Sequence, residues 1–422
     1  MARILVAGGS LGGLFVANML LRDGHDVRVL EKVKGSMNGR GAGIVSHGAL
    51  VGALERLGLN VQDTLGVLVP GRVLLDGSGQ TLHKLDMPQV LTSWSRLYQI
   101  LLEAFPAERY LQGVTVTRVE QDDRKVRVVG LNDNEELTWD ADLLIASDGI
   151  RSGIRQQIFP KTQPHYAGYI AWRGVCEESS LSDFTLRTLF DYFGFCVPAN
   201  EQIIGYPVAG SNNDTRRGRR AYNFVWYRPV PQGDELQEIL TDADGLYFAQ
   251  GIPPNKVSWR QIAKARHDAR NLLSPQFAEI LEKTAQPFLQ PIFDLASEQL
   301  VSGRIAIMGD AAFVARPHIG MGVTKAAEDA VAIADAIRLH GASSQALSAY
   351  SVQRLNAGQK AVQRARWLGH YVKSADVSIK SLEHRDRLVI NETAIDLGRY
   401  GHLSAIQENW PSTVPMQGAQ TN

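Results

Sequence analysis

The chain has 422 residues, of which 44% are hydrophobic and 21% charged, the composition of an ordinary globular protein with room for two domains. Its 44 Lys and Arg residues balance its 44 Asp and Glu residues, so no net field favours nucleic acid or an anionic membrane as a partner. The two cysteines, Cys176 and Cys196, exclude a disulfide scaffold and a multi-cysteine zinc site, and we expect no metal. Because the sequence shows no secretory signal and no run of about 18 apolar residues, we expect a cytoplasmic protein.

The first 31 residues predict a strand, a helix and a second strand. Residues 3–7 form an apolar run, and apolar residues at helical spacing follow between Leu14 and Leu21. We expect that helix to end at Gly24, because glycine suits the left-handed conformation that follows a helix. Residues 27–30 then form a second short apolar run. A βαβ unit of this length implies a parallel sheet.

Later segments predict that a nucleotide-binding domain is interrupted by a different one. Two apolar runs, 143–146 and 305–308, each lead to a small residue and an aspartate, as in buried parallel strands whose carboxyl ends face a ligand. Between them, aromatic-rich runs predict antiparallel strands at 184–198, 202–208 and 220–230. We therefore expect an α/β fold in which a Rossmann-like domain is interleaved with a mostly antiparallel β domain and followed by C-terminal helices.

The expected division of the chain has four parts. A long helix over about 343–373 belongs to the third part, as a structural element or a dimer contact. In order, the parts are the first half of the nucleotide-binding domain, a β-rich substrate domain, the second half of the nucleotide-binding domain and a helical or irregular extension: 1–160, 161–295, 296–375 and 376–422.

A glycine-rich turn, Gly8 to Gly13, follows the first predicted strand. A dinucleotide turn needs a tight bend at the first glycine, close backbone approach to the pyrophosphate at the second and close helix packing at the third. Gly8 and Gly13 fill the first and third positions, whereas Ser10 occupies the second. Glu31 lies 18 residues after Gly13, where an acid binds ribose hydroxyls. The pattern predicts a dinucleotide site, and the alternative is a glycine-rich turn of another α/β fold.

Two further motifs follow the later predicted strands. Asp148 could be no more than a helix N-cap. Asp310 is followed by the proline-containing loop 316–322 and by a helix that begins near Gly322. An aspartate at a strand end can bind sugar hydroxyls, and a helix N-terminus can stabilise an electron-rich ring edge by its dipole. The string of residues around Asp310 is the most specific of the three motifs.

In this order and at these separations, the three motifs resemble those of the single-component flavoprotein aromatic hydroxylases of the para-hydroxybenzoate hydroxylase type. The resemblance extends over about residues 3 to 370. Within the family, the chain most resembles the dihydroxypyridine monooxygenase branch, through Ser10 in the glycine turn, residues 41–45 and residues 166–175.

The resemblance implies FAD as the bound cofactor and NADH or NADPH as a transient reductant. Glu31 would bind the adenosine ribose, Asp310 would face the ribityl and pyrophosphate part, and Asp148 would lie near the pyrophosphate and contribute to the use of NAD(P)H. Residues 320–323 would line the pyrimidine side of the flavin. The residues expected to contact the cofactor are Gly8, Ser10, Leu11, Gly12, Gly13, Glu31, Lys32, Arg40, Gly41, Gly43, Arg96, Asp148, Gly149, Gly309, Asp310, Pro317, Gly320, Gly322 and Val323.

The resemblance also implies a monooxygenase that acts on a small aromatic substrate. NAD(P)H would reduce FAD, dioxygen would add at the flavin C4a position, and the hydroperoxide would transfer OH to an electron-rich ring, while the protein orients the cofactor and excludes water. A hydroxylated N-heteroaromatic such as a pyridinol is the leading substrate class. The alternatives are an epoxidase or a monooxygenase for a larger polycyclic or indole-like substrate, a plain NAD-linked dehydrogenase, and a non-catalytic flavin redox module.

The residues expected around the substrate come from three segments. His47 follows the segment expected beside the flavin, and an imidazole can accept a phenol-type proton at neutral pH. Gln202 and Tyr206 share one face of a predicted strand because they are four residues apart. Pro317 and His318 lie in the loop before the last helix. For each of these residues a plain structural role is the alternative.

Other conspicuous residues are expected to have structural roles. The tryptophans and polar residues at 172–173 and 226–227 are expected to pack in the core or between domains, and the basic run 216–220 is expected to be a solvated loop.

Two positions depart from the family pattern. Trp94 stands where many members have arginine, so either Arg96 reaches the cofactor or one contact is missing, and Phe313 replaces a usual histidine. By the habit of the family, we expect a homodimer.

Overall fold

A computed structural model of the chain describes residues 1–35, 37, 43–59, 61, 64–249, 251–372 and 382–396. Its strands are β1 (Arg3–Ala7), β2 (Asp26–Glu31), β3 (Gly43–Val45), β4 (Val67–Leu75), β5 (Thr81–Ser93), β6 (Tyr110–Gln112), β7 (Thr115–Gln121), β8 (Val126–Asn132), β9 (Glu135–Ala141), β10 (Leu143–Ala146), β11 (His165–Glu177), β12 (Phe193–Cys196), β13 (Gln202–Val208), β14 (Ala221–Pro229), β15 (Phe288–Ala296), β16 (Val301–Ser302), β17 (Ile305–Ile307) and β18 (Phe313–Val314).

The α-helices of the described residues lie between these strands and after the last of them. They are α1 (Leu11–Arg22), α2 (Gly48–Arg56), α3 (Trp94–Glu103), α4 (Gly153–Ile158), α5 (Asp183–Thr185), α6 (Asp234–Ile239), α7 (Trp259–Leu272), α8 (Pro275–Lys283), α9 (Gly322–His340), α10 (Ser344–Leu368) and α11 (Leu382–Glu392). None of the helices that the structure describes combines the length and the apolar character needed to cross a membrane.

The predicted βαβ unit is β1, α1 and β2. Gly24 ends the unit's helix with a φ of +86°, as expected of a glycine after a helix. The two strands belong to a six-stranded sheet of order β16-β17-β10-β1-β2-β6, in which β17, β10, β1, β2 and β6 pair in parallel. The central strands are apolar almost throughout because both of their faces are covered.

A nine-stranded sheet of order β18-β15-β11-β14-β13-β12-β4-β5-β3 forms the second layer. Its pairs are antiparallel apart from β12 with β4, and a third sheet contains β7, β8 and β9. The α/β fold class, with a mostly antiparallel sheet inserted into a parallel one, is therefore confirmed. The domain ranges stay predictions, and the second sheet also takes three strands from residues 43–93.

One predicted strand, 184–198, is wrong in its first half. A short helix, α5, and a π-helical turn over Leu186–Phe190 precede β12, which covers only Phe193–Cys196. The side chain of Ser182 accepts a hydrogen bond from the Thr185 amide and so begins the helical turn. Phe190 then packs 5.3 Å from the ring of Tyr222. The apolar residues that suggested a strand are thus buried from a helical turn.

A buried arginine fixes the last helix of the described chain to the nine-stranded sheet. Arg72 on β4 is 0% exposed, and its Nη1 donates to the carbonyl oxygens of Ile390 at 2.8 Å and Thr393 at 2.6 Å. Its Nη2 donates to Ala394 O at 3.2 Å and to Gln89 Oε1 at 2.6 Å. Because the carbonyls at a helix C-terminus lack partners within the helix, this guanidinium satisfies groups that would otherwise be buried unpaired.

Replacing Arg72 by leucine tests this contact. We expect the free energy of unfolding to fall by about 2–4 kcal/mol, because several buried carbonyls lose their donor and the shorter apolar side chain offers no replacement. Thermal denaturation measures the change. Arg118→Leu is the matched control, since the Arg118 side chain is 58% exposed. Equal melting temperatures for the two variants would show that Arg72 does not stabilise the fold.

Candidate functional site

Three loops meet at the carboxyl edge of the six-stranded sheet. Because β1, β10 and β17 are parallel neighbours, the loops that follow them leave the sheet side by side. Backbone hydrogen bonds fix the alignment: Ser147 N donates to Ala7 O at 2.8 Å, and Met308 N donates to Ala146 O at 2.9 Å. The strand order changes direction at β1, and open α/β sheets bind ligands at such a point.

The glycine turn after β1 is shaped by close backbone approaches. Gly8 has a φ of +97°, and a Cβ there would lie 2.3 Å from the Ser147 carbonyl oxygen. A Cβ at Gly13 would lie 1.8 Å from the Gly8 carbonyl oxygen, so α1 can approach β1 only with glycine at this position. Ser10 precedes α1, and its side chain makes no capping hydrogen bond with the described residues. The amides of Leu11 and Gly12 begin α1, and amides at the start of a helix can bind a phosphate.

Glu31 lies beside this turn, at the end of β2. Its side chain is 5% exposed and accepts hydrogen bonds from Gly9 N at 2.7 Å and Val33 N at 2.8 Å. The carboxylate is therefore held next to the glycine turn, while Lys32 is exposed. Two residues predicted to contact the cofactor, Arg40 and Gly41, lie outside the described residues.

Asp148 and Gly149 form the second loop, after β10. Ile154 N donates to one oxygen of Asp148 at 3.4 Å, and the other oxygen is buried without a hydrogen-bond partner among the described residues. Loss of hydration raises the pKa of Asp148, and a hydrogen bond from Ser152 opposes the rise. Gly149 has a φ of +85°, which turns the chain sharply before α4.

The third loop is tied to α9. Gly309 N donates to Oδ2 of Asp329 at 3.0 Å, and the other oxygen of Asp329 accepts from Nε of Arg354 at 2.7 Å. Gly309 has a φ of +59°. Asp310 follows with an exposed side chain that lines a cavity.

This cavity has a volume of about 750 Å³ and lies between the six-stranded and nine-stranded sheets. One group of its lining residues was predicted to contact the cofactor: Gly43, Asp310, Pro317, Gly320, Gly322 and Val323. A second group comes from the nine-stranded sheet: Arg173, Phe193, Ile204, Tyr206, Val225 and Tyr227. The fold thus brings part of the predicted cofactor residues and one face of the antiparallel sheet to a single cavity.

The loop before α9 forms one wall of the cavity. Gly320 has a φ of +62°, and a Cβ there would lie 2.6 Å from the Cβ of Ala394. The Ala394 amide donates to the carbonyl oxygen of His318 at 2.9 Å, so the end of the described chain holds this loop. A Cβ at Gly322 would meet nothing within 4 Å. The first turn of α9, with its amides and the positive end of its dipole, therefore opens on the cavity.

Alternation along the strands decides which side chains of the sheet reach the cavity. Arg173 on β11 pairs with Val225 on β14, which pairs with Ile204 on β13, and all three line the cavity. Tyr206 and Tyr227 follow the same alternation. Arg173 and Tyr227 were expected to pack in the core or between domains. The alternation of side chains along a strand could have indicated that these two residues line the cavity, but only with knowledge of the register of β11 and β14.

Tyr206 lies against the short strand β3. A Cβ at Gly43 would lie 2.3 Å from the Tyr206 ring, so glycine is required for this approach. The Gly43 amide donates to Oδ1 of Asn223 at 3.0 Å. The predicted role of Tyr206 in the reaction stays a prediction, and its place on the cavity wall is compatible with it.

The histidines predicted near the substrate lie behind the cavity wall. His47 is 1% exposed, and its Nδ1 lies 2.9 Å from Oγ1 of Thr324. His318 is 0% exposed, with Nε2 at 2.9 Å from the Tyr169 hydroxyl and Nδ1 at 3.0 Å from Oε1 of Gln202. His47, His318 and Gln202 are not lining residues of the cavity. Their predicted roles stay predictions, and a direct contact with the substrate would require movement.

Burial keeps both imidazoles neutral. Loss of hydration lowers the pKa of His318 to about 3, with a smaller contribution from the charge of Arg316. Loss of hydration also lowers the pKa of His47, while Asp396 opposes the change. Since His318 is neutral, the partners of its nitrogens favour a tautomer in which Nδ1 donates to Gln202 and Nε2 accepts from Tyr169.

The positions that depart from the family pattern fall into different surroundings. Trp94 lines the cavity and stacks on Tyr98 at 4.8 Å between ring centroids. Arg96 does not line it, and its Nε lies 3.4 Å from Thr64 O. Phe313 is fully buried and packs against the backbone of α10. The predicted reach of Arg96 to the cofactor stays a prediction.

The buried histidines make stability depend on pH. Because the folded-state pKa of His318 lies below that of the unfolded chain, the unfolded state binds more protons as the pH falls below about 6.5. The contribution of the neutral His318 to the free energy of unfolding is fully present above that pH and is lost as the pH falls toward 3. For His318 we expect the free energy of unfolding to fall by about 2 kcal/mol between pH 6.5 and pH 5. Urea denaturation at the two pH values measures the loss.

His318→Gln removes this titration and is therefore expected to lose less stability over the same pH interval than the wild type. His165→Gln, at an exposed position, is the control and is expected to behave as the wild type. Identical pH dependence in the wild type and in His318→Gln would contradict the assignment of a neutral buried imidazole.

A family model described as FAD binding domain-like matches residues 166–294 of the chain. Among characterised proteins, the chain is 28% identical over 366 residues to 2,6-dihydroxypyridine 3-monooxygenase from Paenarthrobacter nicotinovorans, which covers 86% of this chain and 90% of that protein. It is 26% identical over 395 residues to 6-hydroxynicotinate 3-monooxygenase from Pseudomonas fluorescens, which covers 86% of this chain and 89% of that protein.

The fold comparison agrees with the sequence comparison. The solved structure of 2,6-dihydroxypyridine-3-hydroxylase from Arthrobacter nicotinovorans matches with a TM-score of 0.82 and 27% identity, over 90% of this chain and 95% of that one. By sequence and by fold the chain is similar to the FAD-dependent aromatic hydroxylases, which confirms the resemblance predicted from its three motifs.

Proposed function

We propose that this protein uses FAD, NADH or NADPH and dioxygen to hydroxylate a small N-heteroaromatic ring that already carries a hydroxyl group. The proposal depends on one observation: a single cavity of about 750 Å³ joins the loop before α9 to an aromatic face of the antiparallel sheet. The two relatives named above act on a dihydroxypyridine and on a hydroxynicotinate, and both compounds belong to this class.

The residues at the sheet edge fit a dinucleotide cofactor. Side chains at Gly8 and Gly13 would collide with backbone, so the turn exposes its amides to a pyrophosphate. Glu31 is held where it can bind a ribose, and Asp310 and the first turn of α9 lie on the cavity. When bound, FAD supplies the redox chemistry, which is hydride uptake from NAD(P)H and activation of dioxygen at its C4a position.

The chain itself contributes a shaped and largely apolar reaction space. Phe193, Ile204, Val225 and Ile292 line the cavity, and their burial excludes water from the reacting ring. The amides at the start of α9 favour negative charge on the ring edge that they face. The described residues thus orient the reactants, while the electron transfer belongs to the cofactor.

The first measurement is an assay of the purified protein. We expect a yellow protein whose NADH or NADPH oxidation rises on addition of a hydroxypyridine, with matching oxygen uptake and a hydroxylated product. Phenols and indole, tested in parallel, distinguish a pyridinol hydroxylase from an enzyme for larger rings. Bound FAD without stimulation by any ring would favour the redox-module alternative, and a protein that cannot be loaded with FAD would contradict the proposal.

A glycine variant tests the cofactor site separately from the substrate. Gly13→Ala places a methyl group against the Gly8 carbonyl oxygen, so we expect α1 to move away from β1 and the purified protein to lose most of its FAD absorbance. Gly52→Ala is the matched control, because a Cβ at Gly52 in α2 would meet no atom within 4 Å. We expect it to retain FAD and to gain up to about 1 kcal/mol of stability. Equal FAD content in the two variants would contradict the proposed site.

A further inference from the structure

Lys325 on α9 is a buried lysine whose ammonium group makes no hydrogen bond to a side chain or carbonyl of the described chain. Its side chain is 2% exposed, and its Nζ is buried without a hydrogen-bond partner among the described residues. It lies 3.8 Å from Oδ2 of Asp329, which is too long for a hydrogen bond. Because a charged group is costly to remove from water unless its charge is compensated, packing alone does not explain a lysine at this position.

The charge of Asp329 is already compensated by another residue. Oδ1 of Asp329 accepts from Nε of Arg354 at 2.7 Å, and Oδ2 accepts from the Gly309 amide at 3.0 Å. Nη2 of Arg354 also donates to Glu328, whose side chain is 33% exposed and so remains partly hydrated. Asp329 and Arg354 therefore form an ion pair without net charge. The positive charge of Lys325 is left to act on a different acid.

The geometry of α9 places this charge beside the loop that carries Asp310. Asp329 accepts from the Gly309 amide, so this face of α9 packs on the loop after β17. Residues four apart lie on the same face of a helix, and helical side chains lean toward the helix N-terminus. Lys325 therefore lies on the face toward the loop, one turn nearer to the cavity than Asp329. Asp310 follows Gly309 directly and lines the cavity.

The electrostatics of Asp310 agree with this placement. Its carboxyl group opens to the cavity but is otherwise surrounded by protein, and loss of hydration raises its pKa. The charge of Lys325 opposes the rise in pKa, whereas the charge of Asp329 adds to it. Lys325 is therefore the charge that favours the ionised form of Asp310.

Other ionisable groups face this region from neighbouring elements. The Tyr350 hydroxyl on α10 donates to a carbonyl oxygen of β17 at 2.9 Å, and Nη1 of Arg155 on α4 donates to a carbonyl oxygen of the loop at 2.9 Å. Asp148 lies in the neighbouring second loop, and Arg151 and Arg173 line the cavity. None of these five groups contributes to the shift in the pKa of Asp310, so none of them replaces Lys325.

We propose that Lys325 is a positioning residue for the cofactor, whose ammonium group holds the Asp310 carboxylate in the charged form that accepts hydrogen bonds from the ribityl hydroxyls of FAD. The inference rests on the proposed function, because it requires FAD to be the ligand of this cavity. Lys325 is not a lining residue of the cavity and acts through Asp310. Since hydrogen bonds to a charged acceptor are stronger than those to a neutral one, the pair increases the affinity for FAD.

The test measures how tightly the FAD-loaded protein holds its cofactor. The protein is diluted at a series of pH values, free FAD is separated by ultrafiltration, and the dissociation constant is calculated from bound and free FAD. We expect the wild type to hold FAD with constant affinity until the pH falls low enough to protonate Asp310. In Lys325→Met the loss of affinity is expected to begin at a higher pH, because the charge that opposes protonation is absent.

Four variants separate the contributions at neutral pH. Lys325→Met and Asp310→Asn are each expected to weaken FAD binding about 10- to 100-fold, since hydrogen bonds to a charged acceptor are lost. Asp310→Asn is also expected to remove the pH dependence. The double variant is expected to bind FAD within about 3-fold of Asp310→Asn, because Lys325 acts through Asp310. Lys360→Met, at an exposed position in α10, is the control and is expected to bind FAD as the wild type does.

Thermal denaturation separates this role from a structural one. Methionine is similar in length to lysine, and replacing a buried charge by an apolar side chain is often neutral for stability. We therefore expect Lys325→Met to melt close to the wild type. Lys325→Gln is a second neutral variant with a polar side chain, and we expect the same shift of its pH profile, so the test does not depend on the folding of one variant.

The outcomes distinguish this inference from the proposed function. The inference is wrong if the neutral variants hold FAD as the wild type does at every pH. It is also wrong if Lys325→Met weakens binding equally with Asp310 and with Asn at position 310, since the effect would then be structural. A wild type that holds no FAD overturns both the inference and the proposed function. If the pH profile shifts as expected but no ring is hydroxylated, the role of Lys325 stands and the proposed function fails.

Discussion

Backbone hydrogen bonds between β1, β10 and β17 hold three loops from distant parts of the chain at one edge of a sheet. The register of these parallel strands determines where Gly8, Asp148 and Asp310 lie relative to one another. A shift by one residue would turn each apolar side chain to the opposite face, and because both faces are covered, the shift would expose none of them to water but would misplace every loop. Gly8 depends on this register too, since its close approach is to the backbone of Ser147 and Asp148 in the second loop.

The nine-stranded sheet provides one wall of the cavity, and residues from the loops of the six-stranded sheet are needed to complete the site. Antiparallel alternation places one set of side chains toward the cavity and the other toward α7 and α8. The polar groups of this wall divide into two kinds. His318 and Gln202 are joined by a hydrogen bond and do not line the cavity, whereas Arg173 and Tyr227 line it and each has a donor without a hydrogen-bond partner among the described residues. A buried hydrogen-bond network in which every group has a partner is rigid, whereas a donor without a partner can bind a ligand.

The parts of this molecule that depend on local sequence could be predicted, and those that depend on distant neighbours could not. The βαβ unit, the three motifs and the strands at 202–208 and 220–230 follow from periodicity and glycine chemistry. The strand predicted at 184–198 failed because aromatic residues can be buried from a helical turn as well as from a strand. His47 was expected to take a proton from the ring because of the segment before it; its burial and its contact with Thr324, 277 residues away, could not be predicted from that segment, and its role stays a prediction. Arg173 was missed since only the register of β11 shows which face it occupies.

The contact between Arg72 and the carbonyls of α11 has a consequence for the order in which the protein matures. The six-stranded sheet is complete once residue 307 has been synthesised, but Ala394, which packs on the loop beside the cavity, is made almost 90 residues later. A nascent chain on the ribosome therefore has all strands of the nucleotide-binding sheet while one wall of the cavity is still missing. During that interval the guanidinium of Arg72 has no helix end to bind, and the apolar lining is open to solvent and to chaperones.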